Sequence, residues 1–262
     1  MRRRTLLART GTLLAGSTLL SVAASGGGQA TLDPTYRLLP GTKYETGVFV
    51  REGVRDGPTV LVVGGIHGDE RCGYRAASEI ARWKIERGKL VVLPKANRVA
   101  IRKNRREGAH GDLNRQFPSG EEPKTKLARA IWGVVERHDP EMVLDLHRSL
   151  GIYGYHESSV GQVIWPTDSD PAPEYAKRTA EQLNGSVVPW YMPFHEYRRG
   201  GELDGSRPML VHKVAGDLGR PGYIVETTKF LLDTDTRARW ENAAATDLLS
   251  RHGIKRRGGR ST

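Results

Sequence analysis

Short apolar runs alternate with amphipathic stretches along this chain, which is the pattern of β-strands alternating with α-helices. The clearest run, VLVVGG at residues 60–65, is rich in β-branched residues and has no polar side chain, which favours a strand buried on both faces of a sheet. Apolar runs predict strands at residues 46–50, 59–63, 89–93, 142–146, 162–165, 187–190, 209–214 and 223–225. Apolar residues at helical spacing predict helices at residues 77–88, 127–138, 173–183 and 240–248.

This order of elements predicts an α/β fold, a doubly wound, mostly parallel (mixed) sheet with helices on both faces. The unit of strand, helix and strand over residues 59–93 indicates a parallel pair. Residues 97–118 contain few apolar and many charged side chains, so we expect a long functional loop there. Glycines and charged residues over positions 191–208 indicate a mobile loop. In a sheet of this kind, ligands bind outside the carboxyl ends of the strands.

Three further segments flank one predicted domain at residues 45–254. Residues 1–30 place three consecutive arginines before an apolar segment of small residues, as in an export signal of the twin-arginine type. We therefore expect export to the periplasm, the cell surface or the medium, with an uncleaved membrane anchor as the alternative. Residues 31–44 are rich in glycine and proline and indicate a linker, and the basic residues 255–262 indicate a disordered tail.

The formal charge of +11 lies mainly at the two ends of the chain. Residues 1–30 and 255–262 hold eight basic and no acidic side chains, which leaves 33 basic against 30 acidic residues between them. No stretch interleaves basic and aromatic residues on one face, so we do not expect nucleic-acid binding. The mean hydropathy of −0.52 excludes a polytopic membrane protein, and no transmembrane span is expected beyond the signal. These features leave the oligomeric state open.

Three candidate metal ligands follow predicted strands. His67 and Glu70, three positions apart, come after the strand at 59–63, and His147 ends another strand. A catalytic zinc takes three protein ligands from His, Asp and Glu and keeps one position open. These residues therefore predict a site for one zinc ion per chain. Asp145, two residues before His147, either orients the imidazole ring of His147 or is a structural hydrogen-bond acceptor.

A hydrolytic site also needs a base, and Glu226 is the candidate because it places a carboxylate at the end of an apolar strand. Its alternative role is a structural salt bridge. In the long loop, Asn114 and Arg115 are candidates for a clamp that binds a substrate carboxylate. Arg105 or Arg106 is the candidate for stabilising the oxyanion of a tetrahedral intermediate.

Taken in order along the chain, these motifs resemble those of the zinc carboxypeptidase superfamily. The motifs that carry the resemblance are His67-x-x-Glu70, DLNRQFP at residues 112–118, DLH at residues 145–147 and Glu226 in VETT. The compact spacing, about 77 residues from Glu70 to His147, is most similar to the succinylglutamate desuccinylase and aspartoacylase branch. The resemblance spans about residues 45–250.

The resemblance implies a zinc carboxypeptidase-like fold and a zinc hydrolase domain at residues 45–254. It implies zinc ligation by His67, Glu70 and His147, a general base at Glu226, a carboxylate clamp at Asn114 and Arg115, and an arginine that polarises the substrate carbonyl. For that arginine, Arg105 lies nine residues before Asn114, a spacing that matches bacterial peptidase members, and Arg106 is the alternative.

Two features depart from the family pattern. The deacylase branch commonly has His-Glu-Ser at the third ligand, whereas this chain has His147-Arg148-Ser149, which changes the charge beside the metal. The tyrosine that peptidase members carry on a mobile loop before the base has no clear counterpart, and Tyr197 and Tyr153 are only loose candidates. The identities of the acyl group and of the leaving amino acid therefore stay open.

These features predict a zinc-dependent amide hydrolase that removes the acyl group from an N-acyl amino acid. Its partner would be a small molecule or peptide with a free carboxylate. An exported zinc carboxypeptidase or cell-wall peptide amidase uses the same parts and is the first alternative, which export favours. A non-catalytic exported binding protein is the second alternative. Such a protein would be expected to lack a ligand or the base, and this chain retains all four residues.

Overall fold

The computed structural model describes residues 32–258. The predicted export signal and the last four residues lie outside the described residues. Within the part that is described, no helix has both the length and the apolar character needed to cross a membrane.

The described strands form one mixed sheet that is parallel at its centre. Its strands are Tyr36–Leu38 (β1), Thr46–Glu52 (β2), Arg55–Gly64 (β3), Ile85–Leu93 (β4), Met142–Ser149 (β5), Val163–Pro166 (β6), Arg198–Arg199 (β7), Gly222–Thr228 (β8) and Lys255–Arg256 (β9). Their order is β1-β2-β4-β3-β5-β8-β6-β7, and β9 pairs with β4. The central strands β4, β3, β5 and β8 are parallel. Strands β1, β2 and β9 pair antiparallel with their neighbours, whereas β6 is antiparallel to β8 and parallel to β7.

Helices cover both faces of the sheet. They are Arg71–Ile80 (α1), Arg98–Lys103 (α2), Lys126–His138 (α3), Ala172–Ser186 (α4), Leu210–Lys213 (α5) and Thr234–Arg251 (α6). Val60 and Val62 of β3 join the hydrophobic core under α1, α4 and α6, while Leu61 and Val63 join the core under α3 and α5. Because successive side chains of a strand point to opposite faces, the unbroken apolar run of β3 fills both cores. The predicted doubly wound fold is confirmed.

Two predicted strands are not strands in the structure. Residues 209–214 form α5 and then a π-helical turn, Val214–Leu218. A short run of buried apolar residues is compatible with a strand or a helix, so the sequence pattern alone did not distinguish the two. Residues 187–190 follow α4 as an irregular segment, in which Val188 is buried and Trp190 is 91% exposed.

The structure also corrects the predicted linker and tail. Residues 36–38, within the predicted linker at 31–44, form β1 and pair with β2. Lys255 and Arg256, at the start of the predicted disordered tail, pair with Arg87 and Ile85 of β4. Both segments pair through backbone hydrogen bonds, and any residue type except proline can donate them. The amino-acid composition of the segments therefore did not reveal the pairing. The predicted loop at 97–118 contains α2 and a short 3₁₀ helix, Leu113–Arg115.

A half-buried histidine, His252, directly after α6 makes stability depend on pH. The Tyr223 hydroxyl donates to Nε2 of His252 at 2.7 Å, and burial lowers the pKa of His252 to about 4. Because the unfolded chain takes up this proton near pH 6.5, the folded state loses about 2 kcal/mol of stability between about pH 7.5 and about pH 5. We expect His252→Gln, which does not titrate, to remove that part of the loss.

The measurement is the free energy of unfolding in urea at both pH values for the wild type and His252→Gln. The loss on acidification should be smaller in the variant by about 2 kcal/mol. Equal losses in the two proteins would show that the imidazole of His252 is not the titrating group.

Candidate metal centre and active site

The turn after β3 is built so that two candidate ligands face one point. Gly65 has a φ of +75°, a left-handed conformation that favours glycine, and it reverses the chain directly after the strand. At Gly68 a Cβ atom would lie 2.0 Å from the carbonyl carbon of Ala100, so only glycine allows α2 to pack here. This turn places His67 and Glu70 at the carboxyl end of β3, immediately before α1.

His147 reaches the same point from β5, the neighbouring strand. One ligand atom from each of His67, Glu70 and His147 lies within 4.8 Å of the others, and all three residues are buried. Nδ1 of His147 is 2.8 Å from Oε2 of Glu70 and 3.1 Å from Nδ1 of His67. Nδ1 of His67 is 3.0 Å from Oε1 of Glu70. Two imidazole nitrogens and a carboxylate therefore converge, and this donor set suits a zinc ion with one position left open.

The outer nitrogen of each imidazole contacts a carboxylate. Nε2 of His147 is 2.8 Å from Asp145, and Nε2 of His67 is 2.9 Å from Asp112. These carboxylates accept the Nε2 protons, leave the Nδ1 lone pairs for an ion and fix both rings. The orienting role of Asp145 is thus the one that the geometry supports. Asp112 was missed from the sequence as a partner of His67, because only the loop conformation brings it there.

Charges at the centre keep Glu70 ionised. Burial alone would raise the pKa of its carboxyl group, but His147 and His67 together lower that pKa below its usual range. The backbone N–H of Arg148 also donates to Oε2 of Glu70 at 3.1 Å. The Arg148 side chain, which departs from the family pattern beside the third ligand, pairs with Asp69 at 2.6 Å. Its positive charge is therefore neutralised beside the centre by a neighbouring carboxylate.

Glu226 lies beside His147 on β8, because the two residues are partners in the parallel register of β5 and β8. It sits two residues inside the strand end, rather than directly at the end as the sequence predicted. Its Oε2 atom is buried and has no hydrogen-bond partner among the described residues. Burial raises the pKa of Glu226 to about 7, although His147 lowers it in part. No salt bridge to a described arginine satisfies this carboxylate, which disfavours the structural alternative.

The predicted clamp residues divide between two roles. Asn114 is buried, and its side-chain oxygen accepts from the backbone N–H of Leu210 at 3.1 Å, while Nδ2 is 3.5 Å from Nε2 of His147. Asn114 therefore lies between the candidate metal centre and α5. Arg115 is exposed, and one guanidinium nitrogen donates to its neighbour's carbonyl at 2.8 Å. Of the predicted pair, Arg115 is thus the exposed residue, and only its side chain is cationic.

Arg106 and not Arg105 approaches the centre. Its guanidinium lies 3.2 Å from Oε1 of Glu70 and 3.3 Å from Oδ2 of Asp112. Arg105 is exposed, and its backbone N–H donates to the carbonyl of Ala100. The structure thus places the alternative arginine, rather than the first choice of the sequence, beside the candidate ligands.

No hydrogen bond or ring contact among residues 32–258 joins Tyr197 or Tyr153, the two tyrosines offered by the sequence, to the candidate ligands. Tyr197 is 1% exposed, and its hydroxyl bonds to Thr227 at 2.8 Å, next to Glu226. Tyr153 is 44% exposed. Residues of the predicted mobile loop at 191–208 line a cavity of about 330 Å³, and Glu226 lines the same cavity. Sequence reasoning missed His212, which also lines this cavity, because the residue was assigned to a strand.

Comparison with solved structures shows that other proteins share this α/β fold. The cell shape determinant protein Csd4 from Helicobacter pylori is similar with a TM-score of 0.66 and 20% identity, over 82% of this chain and 57% of that chain. A succinylglutamate desuccinylase from a Silicibacter species is similar with a TM-score of 0.57 and 20% identity, over 83% of this chain and 64% of that chain.

The family model for the succinylglutamate desuccinylase/aspartoacylase catalytic domain matches residues 56–210, and the chain belongs to this family. An N-alpha-acetyl-L-2,4-diaminobutyric acid deacetylase from Halomonas elongata is 34% identical over 116 residues. That match covers 40% of this chain and 33% of the relative, so the chain spans about a third of the length of this curated relative. The predicted resemblance is confirmed.

Proposed function

We propose that the chain is a zinc-dependent amide hydrolase that removes the acyl group from an N-acyl amino acid with a free carboxylate. The observation that carries this proposal is the buried His67, Glu70 and His147 group with an unpartnered carboxyl oxygen of Glu226 beside it. Membership of the desuccinylase and aspartoacylase family and the similarity to a curated deacetylase support it.

His67, Glu70 and His147 would hold the zinc ion, which supplies a Lewis acid and lowers the pKa of water when bound. Glu226 then takes a proton from the attacking water and returns it to the leaving amine, a role that suits a group with a pKa of about 7. Asp145 and Asp112 keep the two imidazole rings in place during these steps. Arg115 contributes a guanidinium for the free carboxylate of the substrate.

Arg106 is our candidate for stabilising the oxyanion, because its guanidinium lies beside Glu70 and Asp112. We expect Arg106→Ala to lower kcat by about a hundredfold. Arg105→Ala is the matched control, since it removes the same charge one residue away, and should change kcat by about twofold or less. Kinetics of both variants at saturating zinc decide between the two arginines. A larger loss of kcat in Arg105→Ala than in Arg106→Ala would assign oxyanion stabilisation to Arg105.

A substrate screen tests the proposed reaction. Purified protein with zinc is assayed against N-acetyl, N-succinyl and other N-acyl amino acids and against short peptides, with a chelator in parallel. Release of a free amino acid from the N-acyl substrates, abolished by the chelator, is the expected result. Preferred release of carboxy-terminal residues from peptides would instead make the chain a metallocarboxypeptidase or cell-wall amidase. No chelator-sensitive turnover of any substrate would favour the binding protein.

We also propose that the chain is exported by the twin-arginine route, on the basis of residues 1–30 alone. Replacing the arginine pair Arg3 and Arg4 with lysines should retain the protein inside the cell. Fractionation of cells that express the two forms measures this directly. Equal export of both forms would contradict the route.

A further inference from the structure

Large apolar side chains are exposed mainly on three loops. Of the ten exposed large hydrophobic residues among residues 32–258, eight lie in the loops at residues 150–161, 189–195 and 228–232. Single exposed apolar residues are normal, whereas a concentration of them marks an interaction site. We call the face that these three loops form the aromatic surface. Six of its eight exposed residues are aromatic, namely Tyr153, Tyr155, Trp190, Tyr191, Phe194 and Phe230.

Hydrogen bonds hold the three loops together. His195 is buried, its ring stacks on Phe230 with the centroids 5.9 Å apart, and its Nε2 donates to the Phe230 carbonyl at 2.7 Å. The hydroxyl of Thr228 donates to the Gly151 carbonyl at 2.7 Å. Gln162 accepts from the backbone N–H of Thr228 at 2.6 Å and donates to the carbonyl of His195 at 3.4 Å. The loops therefore lie side by side in one conformation, which lowers the entropy cost of binding a partner.

The size of the aromatic surface matches that of a protein–protein interface. Its six aromatic side chains are between 36% and 91% exposed. Because a whole aromatic side chain presents about 150–250 Å², these six leave roughly 750 Å² in contact with water. A standard interface buries about 800 Å² per partner, whereas the largest apolar patch of a typical monomer is about 300–600 Å². Leu150 and Leu231 add to this area, so the surface is large enough for a stable dimer.

The charges of the aromatic surface fit a second copy of the same surface. Of all the Asp, Glu, Lys and Arg residues, the three loops contain only Glu157 and Lys229, one of each sign. Both are exposed, and neither makes an ion pair within residues 32–258. Across a two-fold axis Glu157 can pair with Lys229 twice, because each contact of a self-complementary interface occurs in both directions. An anionic lipid surface would instead select clusters of lysine and arginine, which these loops lack.

The aromatic surface borders the candidate site. β5, which carries His147, leads into the loop at 150–161, and β8, which carries Glu226, leads into the loop at 228–232. These two strands are parallel, so both loops lie at the edge of the sheet that carries the candidate ligands. An interface here would lie beside the candidate site and use none of the residues assigned to it.

We propose that the aromatic surface is the interface of a two-fold symmetric homodimer. The aromatic side chains of each copy pack against those of the other, and Glu157 of each copy pairs with Lys229 of the partner subunit. Two-fold dimers are the commonest closed assembly of soluble proteins. The inference goes beyond the proposed hydrolase function and does not depend on it.

Sedimentation velocity of the purified protein tests the interface. We expect the wild type to form a dimer with a Kd of about a micromolar or lower. Trp190→Glu combined with Leu231→Glu places carboxylates in the apolar contact and should raise Kd about a hundredfold or more. Both side chains are at least 80% exposed in the single chain, so the melting temperature should stay unchanged. Val54→Glu is the matched control, because Val54 is 80% exposed outside the aromatic surface, and this variant should keep the dimer.

Charge reversal tests the two-fold arrangement. Lys229→Glu or Glu157→Lys alone places like charges opposite each other at two points of the dimer, and each should raise Kd about tenfold. The double variant, Lys229→Glu with Glu157→Lys, restores opposite charges and should restore the Kd of the wild type. A double variant that dimerises as weakly as the single variants would contradict the reciprocal pairing.

Other results would overturn the homodimer. One is a wild type that stays monomeric at every concentration, and another is a dimer that Trp190→Glu with Leu231→Glu leaves intact. Co-sedimentation of a monomeric wild type with vesicles of phosphatidylcholine and phosphatidylglycerol, lost in the same double variant, would assign the aromatic surface to a lipid membrane. None of these measurements uses turnover, so failure of this inference and failure of the hydrolase proposal are distinguishable.

Discussion

Glu226→Gln is expected to bind zinc as the wild type does and to lower kcat by about a thousandfold. Glutamine keeps the size of the side chain and cannot take a proton from water or return one to the leaving amine. Its register position beside His147 and its unpartnered Oε2 atom place Glu226 within reach of the reaction without making it a ligand. Turnover under saturating substrate and bound zinc per chain are the two measurements.

A control separates loss of the base from loss of negative charge in the cavity. Glu202→Gln removes a carboxylate from the same cavity, but that carboxylate is paired with Arg199. We expect its kcat to stay within about twofold of the wild type. Turnover of Glu226→Gln at the level of this control would mean that the base lies elsewhere.

His67→Ala and His147→Ala are expected to abolish zinc binding, because each removes one of three converging ligand atoms. The purified wild type should retain about one zinc ion per chain, and each variant should retain almost none. Elemental analysis after dialysis measures this. Both histidines are buried and joined to carboxylates, so the melting temperature of each variant is recorded as well.

His156→Ala provides the matched control for these histidine variants. Its ring is exposed and bonds to the hydroxyl of Ser158. Zinc content should be unchanged in this variant. Full zinc occupancy in His67→Ala or His147→Ala, with the fold intact, would contradict the ligand assignment.

The central strands could be predicted from the sequence because strands that are buried on both faces consist mainly of apolar residues. The buried parts of β3 and β5 are mainly apolar and rich in valine and leucine, and such runs are typical of strands that are covered on both faces. The edges were harder to predict. β1 and β9 pair through their backbones with β2 and β4. Because β1 has three residues and β9 has two, neither is long enough to show an alternation of apolar and polar side chains. Residues 210–213, whose short apolar pattern suits a strand or a helix, are helical in the structure.

The candidate metal centre was predictable for a similar local reason. His67, Glu70 and His147 lie at or just after the ends of predicted strands, so their position at one edge of the sheet follows from topology. The roles of Arg106 and Asp112 depend on how the loop at residues 97–118 folds back, and adjacent arginines cannot be distinguished by composition. His212 reaches the cavity only because α5 packs against Asn114, a contact between residues 96 positions apart.

Zinc titration of chelator-stripped protein tests the central claim most directly. The claim is that one ion at His67, Glu70 and His147 enables hydrolysis of an N-acyl amino acid. Turnover of the best N-acyl substrate is measured as zinc is added in known amounts. We expect no turnover without metal, a linear rise, and a break at about one zinc ion per chain. Full turnover in protein shown to contain no metal would contradict the account.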